Sequence, residues 1–66
     1  MDIRLNGQMV TLANPLSVTG LLEMKGINPV QAIIQYNGDI VDRSAWSDTQ
    51  LQDGDQIEIL RFVGGG

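Results

Sequence analysis

The sequence contains neither cysteine nor histidine, and both absences restrict what this 66-residue chain can do. Without cysteine there is no disulfide framework and no thiolate metal site. Without histidine the chain lacks the commonest general base and metal ligand, together with every nucleophile that depends on a Cys-His or Ser-His pair. We therefore expect no enzyme activity, no metal and no bound cofactor.

Positive charge is also scarce, because four Lys and Arg residues face eight Asp and Glu residues and give a net charge of -4. A nucleic-acid binder needs a clustered basic surface, so we expect no nucleic-acid partner. A basic protein surface would be the better electrostatic partner. The basic residues are scattered along the chain at Arg4, Lys25, Arg43 and Arg61.

No apolar run approaches the roughly 20 residues that a membrane-spanning helix requires. The first residues also lack the charged and apolar regions of a signal peptide. The expected location is therefore cytoplasmic, with no membrane partner. At this length we expect a single domain over residues 1–66, with a globular body over 1–63 and a flexible tail over 64–66.

Two Asn-Gly pairs mark turns between short runs of apolar residues. Asn6-Gly7 separates residues 3–5 from residues 9–12, and this pattern predicts a two-residue hairpin because a type I′ turn needs φ > 0 at both central positions. Asn37-Gly38 follows a strand-like run over residues 32–37 and leads to the apolar pair Ile40-Val41. We expect one hairpin at the start of the chain and a second turn between strands in its middle.

A short helix is predicted over residues 18–25 from the spacing of its apolar side chains. Ser17 is in place to cap its first turn, and Gly26 is in place to end it. Gly20 inside the helix costs about 1 kcal/mol relative to alanine. Its lack of a side chain would allow the helix to approach a sheet closely.

The last strand is predicted over residues 56–63, with Ile57 and Ile59 on one face. Residues 44–51 before it are typical of a loop with a helical turn, where we expect Trp46 to pack against the sheet edge. Asp53-Gly54-Asp55 supplies only part of a calcium-loop pattern and is better interpreted as a turn. The order β-β-α-β-(β)-β predicts an α+β fold, a β-grasp or ubiquitin-like roll with a mixed sheet of four to five strands and one main helix.

The sequence finishes in three glycines, Gly64, Gly65 and Gly66, directly after the predicted last strand. Three residues can carry a terminal carboxylate about 10 Å into a cleft. Glycine also lets a partner close tightly around the backbone. Since no histidine or cysteine is present, the carboxylate of Gly66 is the reactive group that we expect.

Three segments together resemble the ThiS family, the small sulfur carriers of thiamine biosynthesis within the wider ThiS and MoaD group of ubiquitin-like proteins. Residues 37–46 are similar to its N-x-x-[IV]-V-P-R-S-x-W stretch, residues 51–59 to its L-x-x-G-D-x-[IV]-E run, and residues 63–66 to its glycine signature. The resemblance covers the whole chain. Two positions depart from it, because Asp42 stands where the family usually has proline and Phe62 where a small residue is common.

The resemblance implies a protein cosubstrate rather than an enzyme. An E1-like adenylyltransferase of the ThiF type would use ATP to adenylate the carboxylate of Gly66, and a persulfide donor would convert it to a thiocarboxylate. Thiazole synthase of the ThiG type would then accept the sulfur, while Gly64 and Gly65 thread into the partner's site.

Side chains near the tail are candidates for docking on these partners, because aromatic and apolar side chains dominate interface energetics. Leu60, Phe62 and Tyr36 are the candidates, and the family pattern adds Arg43. A purely structural role is the competing interpretation, with Leu60 in the core and Tyr36 half-buried, and we favour it for both. For Phe62 the two interpretations stay balanced, and Arg43 could instead form a surface ion pair with Asp39 or Asp42.

Two alternative functions stay open from the sequence. The chain could deliver sulfur to another acceptor, such as molybdopterin synthase or a system that thiolates tRNA or amino acids, although molybdopterin carriers are usually longer. It could also be a conjugated ubiquitin-like modifier or a plain interaction domain. Conjugation would produce isopeptide adducts on other proteins, and a plain interaction domain would bind its partner without the glycine tail.

Overall fold

The computed structural model describes residues 1–63, and its strands follow the predicted turns. Both Asn-Gly pairs adopt positive φ, at 49° and 81° for Asn6 and Gly7 and at 50° and 91° for Asn37 and Gly38. Each pair closes an antiparallel hairpin, as predicted. The strands are β1 Asp2–Leu5, β2 Gln8–Thr11, β3 Ala32–Tyr36, β4 Asp39–Val41 and β5 Gln56–Arg61.

The one α-helix of residues 1–63, α1 at Val18–Lys25, has the predicted bounds and caps. The Ser17 hydroxyl accepts a hydrogen bond from the Gly20 N–H at 3.1 Å, and Gly26 ends the helix in the left-handed region at φ 68°. The suggested close approach of Gly20 to a sheet is wrong. A Cβ at this position would instead meet the Leu16 side chain at 3.2 Å, so the glycine accommodates the loop that enters the helix.

The five strands form one mixed sheet in the order β2-β1-β5-β3-β4. Strand β5 lies in the middle, parallel to β1 and antiparallel to β3. The helix covers one face, where alternate strand residues meet the apolar side of α1. This is the predicted β-grasp arrangement. Its buried core consists of Ile3, Leu5, Leu12, Val18, Leu21, Leu22, Ile27, Ala32, Ile34, Trp46, Leu51, Ile57 and Ile59.

Two 3₁₀ helices, at Pro29–Gln31 and Arg43–Asp48, complete the fold. The second corresponds to the helical turn predicted before β5. The first lies where only a connection was expected. The Asn28 carboxamide caps this 3₁₀ helix by accepting a hydrogen bond from the Val30 N–H at 3.0 Å. Trp46 is buried as predicted, and its indole N–H donates to the Val41 carbonyl at 3.0 Å.

Within residues 1–63 the structure contains no helix with the length and apolar character needed to span a bilayer.

Candidate functional site

The candidate site begins where β5 leaves the centre of the sheet. The strand ends at Arg61 rather than at the predicted residue 63, although one further backbone hydrogen bond joins the Phe62 N–H to the Gln31 carbonyl at 3.1 Å. The next residue, Val63, is 98% exposed. The predicted reactive and threading residues, Gly66, Gly65 and Gly64, lie outside the residues that the structure describes.

The face of the sheet opposite α1 carries an apolar patch beside this exit. Leu60 on β5 lies directly opposite Ile33 on β3, and both side chains point away from the core. Phe62 lies just beyond the end of β5, and continued alternation from Leu60 places it on the same side. Ile40 on β4 lines a shallow depression together with Ile33. We call Ile33, Ile40, Leu60 and Phe62 the outer patch.

Leu60 is 51% exposed, so the interpretation that placed it in the core is wrong. The reason is strand alternation. Ile57 and Ile59 both point inward, and the residue after Ile59 must therefore point to the opposite face. Phe62 is also exposed, at 39%, so the docking candidates at the end of β5 and directly after it are both accessible to a partner.

Ile33 and Ile40 belong to this surface but were not identified from the sequence. The run over residues 32–36 is almost wholly apolar, so its alternation is hidden. The register of β3 against β5 resolves it, because Ile33 pairs with the outward-facing Leu60. A cross-strand argument from Leu60 could have found Ile33 once the strand order was known.

Arg43 flanks the outer patch, as it lines the same depression as Ile33 and Ile40. Its guanidinium lies over the Trp46 ring at 5.6 Å from the ring centroid. It also donates to the Val30 carbonyl at 3.4 Å. The structure therefore brings Arg43 together with the exposed apolar residues.

Asp42, at the position where the family usually has proline, fits the backbone that proline would adopt. Its φ is -62°, close to the value that a proline ring fixes. Its carboxylate accepts hydrogen bonds from the Ser44 hydroxyl and from the Ser44 N–H, and these lower the pKa of Asp42. Aspartate thus replaces a rigid ring by an N-cap of the 3₁₀ helix.

Tyr36 does not join the outer patch. It is half-buried, as predicted, and lies on the core side of the sheet. Its hydroxyl donates to the Asp55 carboxylate at 2.5 Å. This bond is the main cause that raises the pKa of Tyr36 to about 12, and burial adds to the effect.

Asp55 is the buried acceptor at the centre of this polar cluster, with 7% of its surface exposed. Burial favours its neutral form, but hydrogen bonds from Tyr36, from the Gln52 N–H and from the Asn37 carboxamide together lower the pKa of Asp55. Neighbouring Asp53 accepts from the Asp2 N–H at 2.7 Å. Both aspartates therefore organise turns, as predicted. The part of the chain that the structure covers has no group of acidic side chains suited to a metal ion.

The described residues thus define a small β-grasp protein whose central strand ends beside an exposed apolar surface. The ThiS family model matches residues 3–66. The sulfur carrier protein ThiS of Escherichia coli K12 is 35% identical over 66 residues, which cover all of both chains. The chain therefore belongs to the ThiS family.

Solved structures agree with this assignment. The crystal structure of a thiamine biosynthesis protein, ThiS, from Geobacter metallireducens matches all of both chains with a TM-score of 0.85 at 35% sequence identity. This match confirms the predicted β-grasp fold.

Longer relatives also match the whole chain. Proteins named thiazole synthase from Paramagnetospirillum magneticum AMB-1 and Magnetococcus marinus MC-1 are 30% and 35% identical to it over 66 residues. The chain spans 20% of the length of each of these two curated relatives.

Proposed function

We propose that the chain is a sulfur carrier for the formation of the thiazole ring of thiamine. The observation that supports this most strongly is the end-to-end relation to the E. coli protein named sulfur carrier protein ThiS. The glycines Gly64, Gly65 and Gly66 also support the proposal, since glycine has no side chain and lets a partner close tightly around the backbone. In this role the chain is a cosubstrate and not an enzyme.

The proposed chemistry takes place at the carboxyl group of Gly66. At neutral pH an α-carboxylate is ionised and a poor electrophile. An E1-like adenylyltransferase removes this obstacle by joining the carboxylate to the AMP portion of ATP, with loss of pyrophosphate. The acyl carbon then has a good leaving group, and its enclosure protects it from water.

Sulfur enters in the next step. The terminal sulfur of a persulfide donor attacks the acyl carbon, AMP leaves, and an acyl disulfide with the donor remains. A thiol then attacks the donor's sulfur of this disulfide, forms a new disulfide with the donor and releases the thiocarboxylate. The carrier needs no acid or base for these steps, in agreement with a sequence that has no histidine or cysteine. Gly64 and Gly65 would leave room for a partner to close around the tail.

We infer that the outer patch is the surface that meets these partners. One of its residues, Leu60, lies on β5, and Phe62 follows directly after this strand. Ile33 and Ile40 on the neighbouring strands β3 and β4 extend the exposed apolar surface. Apolar side chains at the centre and charged ones at the edge are typical of protein interfaces. Arg43 supplies such a charge at the edge of the outer patch.

Thiazole synthase is the acceptor that we propose. Support comes from the relatives of that name, in which a segment similar to the whole of this chain occupies a fifth of the protein. Stable co-purification with a separate thiazole synthase, and not with the large subunit of molybdopterin synthase, would distinguish this acceptor from the alternative one.

The test is to incubate the purified chain with an E1-like adenylyltransferase, ATP and a persulfide donor, and to follow the mass of the chain. Exchange of one oxygen for sulfur adds about 16 Da. A variant that lacks Gly66 should keep its fold, measured by circular dichroism, and should take up no sulfur. Uptake by the shortened variant, or no uptake by the full chain with an active adenylyltransferase, would contradict the proposal.

A further inference from the structure

Asn6, in the turn of the first hairpin, makes a pair of hydrogen bonds to a residue 53 positions away. Its side-chain oxygen accepts from the Ile59 N–H at 2.8 Å. Its side-chain nitrogen donates to the Ile59 carbonyl at 3.4 Å. One carboxamide therefore satisfies both backbone groups of a single residue of β5.

This pair of bonds continues the ladder between β1 and β5 after β1 has ended. The parallel pairing stops at Leu5 and Ile57, and the Asn6 N–H makes the last backbone contact with the Ile57 carbonyl at 2.9 Å. The chain then turns away through Gly7. A carboxamide presents the same donor and acceptor as a peptide group, so the Asn6 side chain replaces the missing rung.

The position of this rung matters because β5 is held differently on its two sides. On the β3 side the backbone hydrogen bonds continue to Phe62, whose N–H donates to the Gln31 carbonyl. On the β1 side the hydrogen bonds of Asn6 with Ile59 are the final ones among the described residues. It immediately precedes Leu60, where the outer patch begins.

We propose that Asn6 is a positioning residue that fixes the direction in which β5 leaves the sheet, and so presents Leu60 and Phe62 to the activating enzyme. This role rests on the proposed sulfur-carrier function. Without the side-chain rung, the end of β5 can swing away from the β1 side. Only a fraction of the carrier molecules would then have β5 in the orientation that the partner binds.

Asn37 provides a matched control, because it has the same kind of turn and also binds β5. Its side-chain oxygen accepts from the Gln56 N–H at 2.8 Å, and its side-chain nitrogen donates to the Asp55 carboxylate at 3.2 Å. These contacts hold the beginning of β5, at the end remote from the tail. Loss of the Asn37 side chain should therefore weaken the fold without altering the exit of β5.

The experiment compares Asn6→Gly with Asn37→Gly, since glycine keeps the positive φ of each turn and removes only the side chain. In Asn6→Gly we expect the amide hydrogen of Ile59 to exchange about tenfold faster, while that of Phe62 changes less. The KM of the adenylyltransferase for this carrier should rise by about three- to tenfold with kcat unchanged, because the competent fraction of the carrier falls.

Asn6→Asp adds a graded test. It keeps an acceptor for the Ile59 N–H but loses the donor to the Ile59 carbonyl, so its KM should lie between those of the wild type and Asn6→Gly. For Asn37→Gly we expect a lower melting temperature and a KM within about twofold of the wild type, as expected of a structural role.

Equal KM values for Asn6→Gly and wild type, or an equal rise in Asn37→Gly, would overturn the role of Asn6 and leave the sulfur-carrier function intact. Unchanged exchange at Ile59 in Asn6→Gly would overturn the side-chain rung itself. A wild-type chain that takes up no sulfur with an active adenylyltransferase would instead contradict the proposed function, and with it this role.

Discussion

Replacing Leu60 by alanine tests whether the outer patch is the docking surface. Complete burial of a leucine side chain contributes about 1.5–3 kcal/mol. Leu60 is already about half covered by its neighbours, since 51% of it is exposed. A partner can therefore gain roughly half of that free energy by covering the rest, about 0.8–1.5 kcal/mol. This corresponds to an interaction that is weaker by about four- to twelvefold.

The assay is the KM of the adenylyltransferase for the carrier, supported by the dissociation constant of the complex. Met9→Ala is the matched control. Met9 is 61% exposed and lies opposite Arg4 in the register of β1 and β2. It therefore lies on the same outer face of the sheet as Leu60, but on the edge strand β2. Its truncation removes a similar apolar area far from the tail and should leave the KM unchanged.

Stability must be measured beside binding, because alanine is a poorer strand residue than leucine. We expect Leu60→Ala to change the free energy of unfolding by less than about 1 kcal/mol, because the Leu60 side chain points away from the core and is half exposed. An unchanged KM for Leu60→Ala would refute the argument. So would an equal effect of Met9→Ala, because the surface would then have no preferred docking region.

Three predictions concern the stability of the fold. Tyr36→Phe should lower the free energy of unfolding at pH 7 by about 1.5 kcal/mol, measured with urea, because Asp55 loses one charged hydrogen bond but keeps two others. With a pKa raised from 10.0 to about 12, Tyr36 contributes stability below pH 10 that is lost as the pH rises towards 12, and Tyr36→Phe should lack this loss. A wild type and variant with parallel alkaline profiles would contradict that assignment. Ser17→Ala should cost about 1 kcal/mol in thermal or urea unfolding through loss of the helix N-cap, and no change would show that the cap is dispensable.

Local chemistry made much of the fold predictable. Asn-Gly at residues 6–7 and 37–38 can adopt positive φ at low cost, so both hairpins could be placed from the sequence alone. Ser17 and Gly26 fixed the ends of α1 for the same kind of reason. In each case the signal lies within a few residues of the feature that it specifies.

Contacts between distant segments were not predictable in this way. The outward direction of Ile33 became clear only from its register with Leu60 on β5. The hydrogen bonds of Asn6 to Ile59 and of Tyr36 to Asp55 join residues that are far apart in the sequence. Such pairs depend on strand order, which single-residue patterns do not encode.

The candidate site shows the same division. The terminal glycines and the absence of histidine and cysteine indicated where chemistry could take place. Two of the docking candidates, Leu60 and Phe62, lie together on the outer patch with Arg43 at its edge, whereas Tyr36 lies on the other side of the sheet. The docking role of these residues stays a prediction, which the variants above would test.

The most direct test of the sulfur-carrier account is the mass of the last tryptic fragment after the activation reaction. Arg61 is the final basic residue, so trypsin releases residues 62–66 as one peptide. Oxidation of methionine also adds about 16 Da to a protein, but all three methionines lie before Arg61 and are absent from this peptide. If the chain carries sulfur, this peptide gains about 16 Da and loses it again when thiazole synthase and its other substrates are supplied. An unmodified peptide after incubation with an active adenylyltransferase, ATP and persulfide would contradict the sulfur-carrier account.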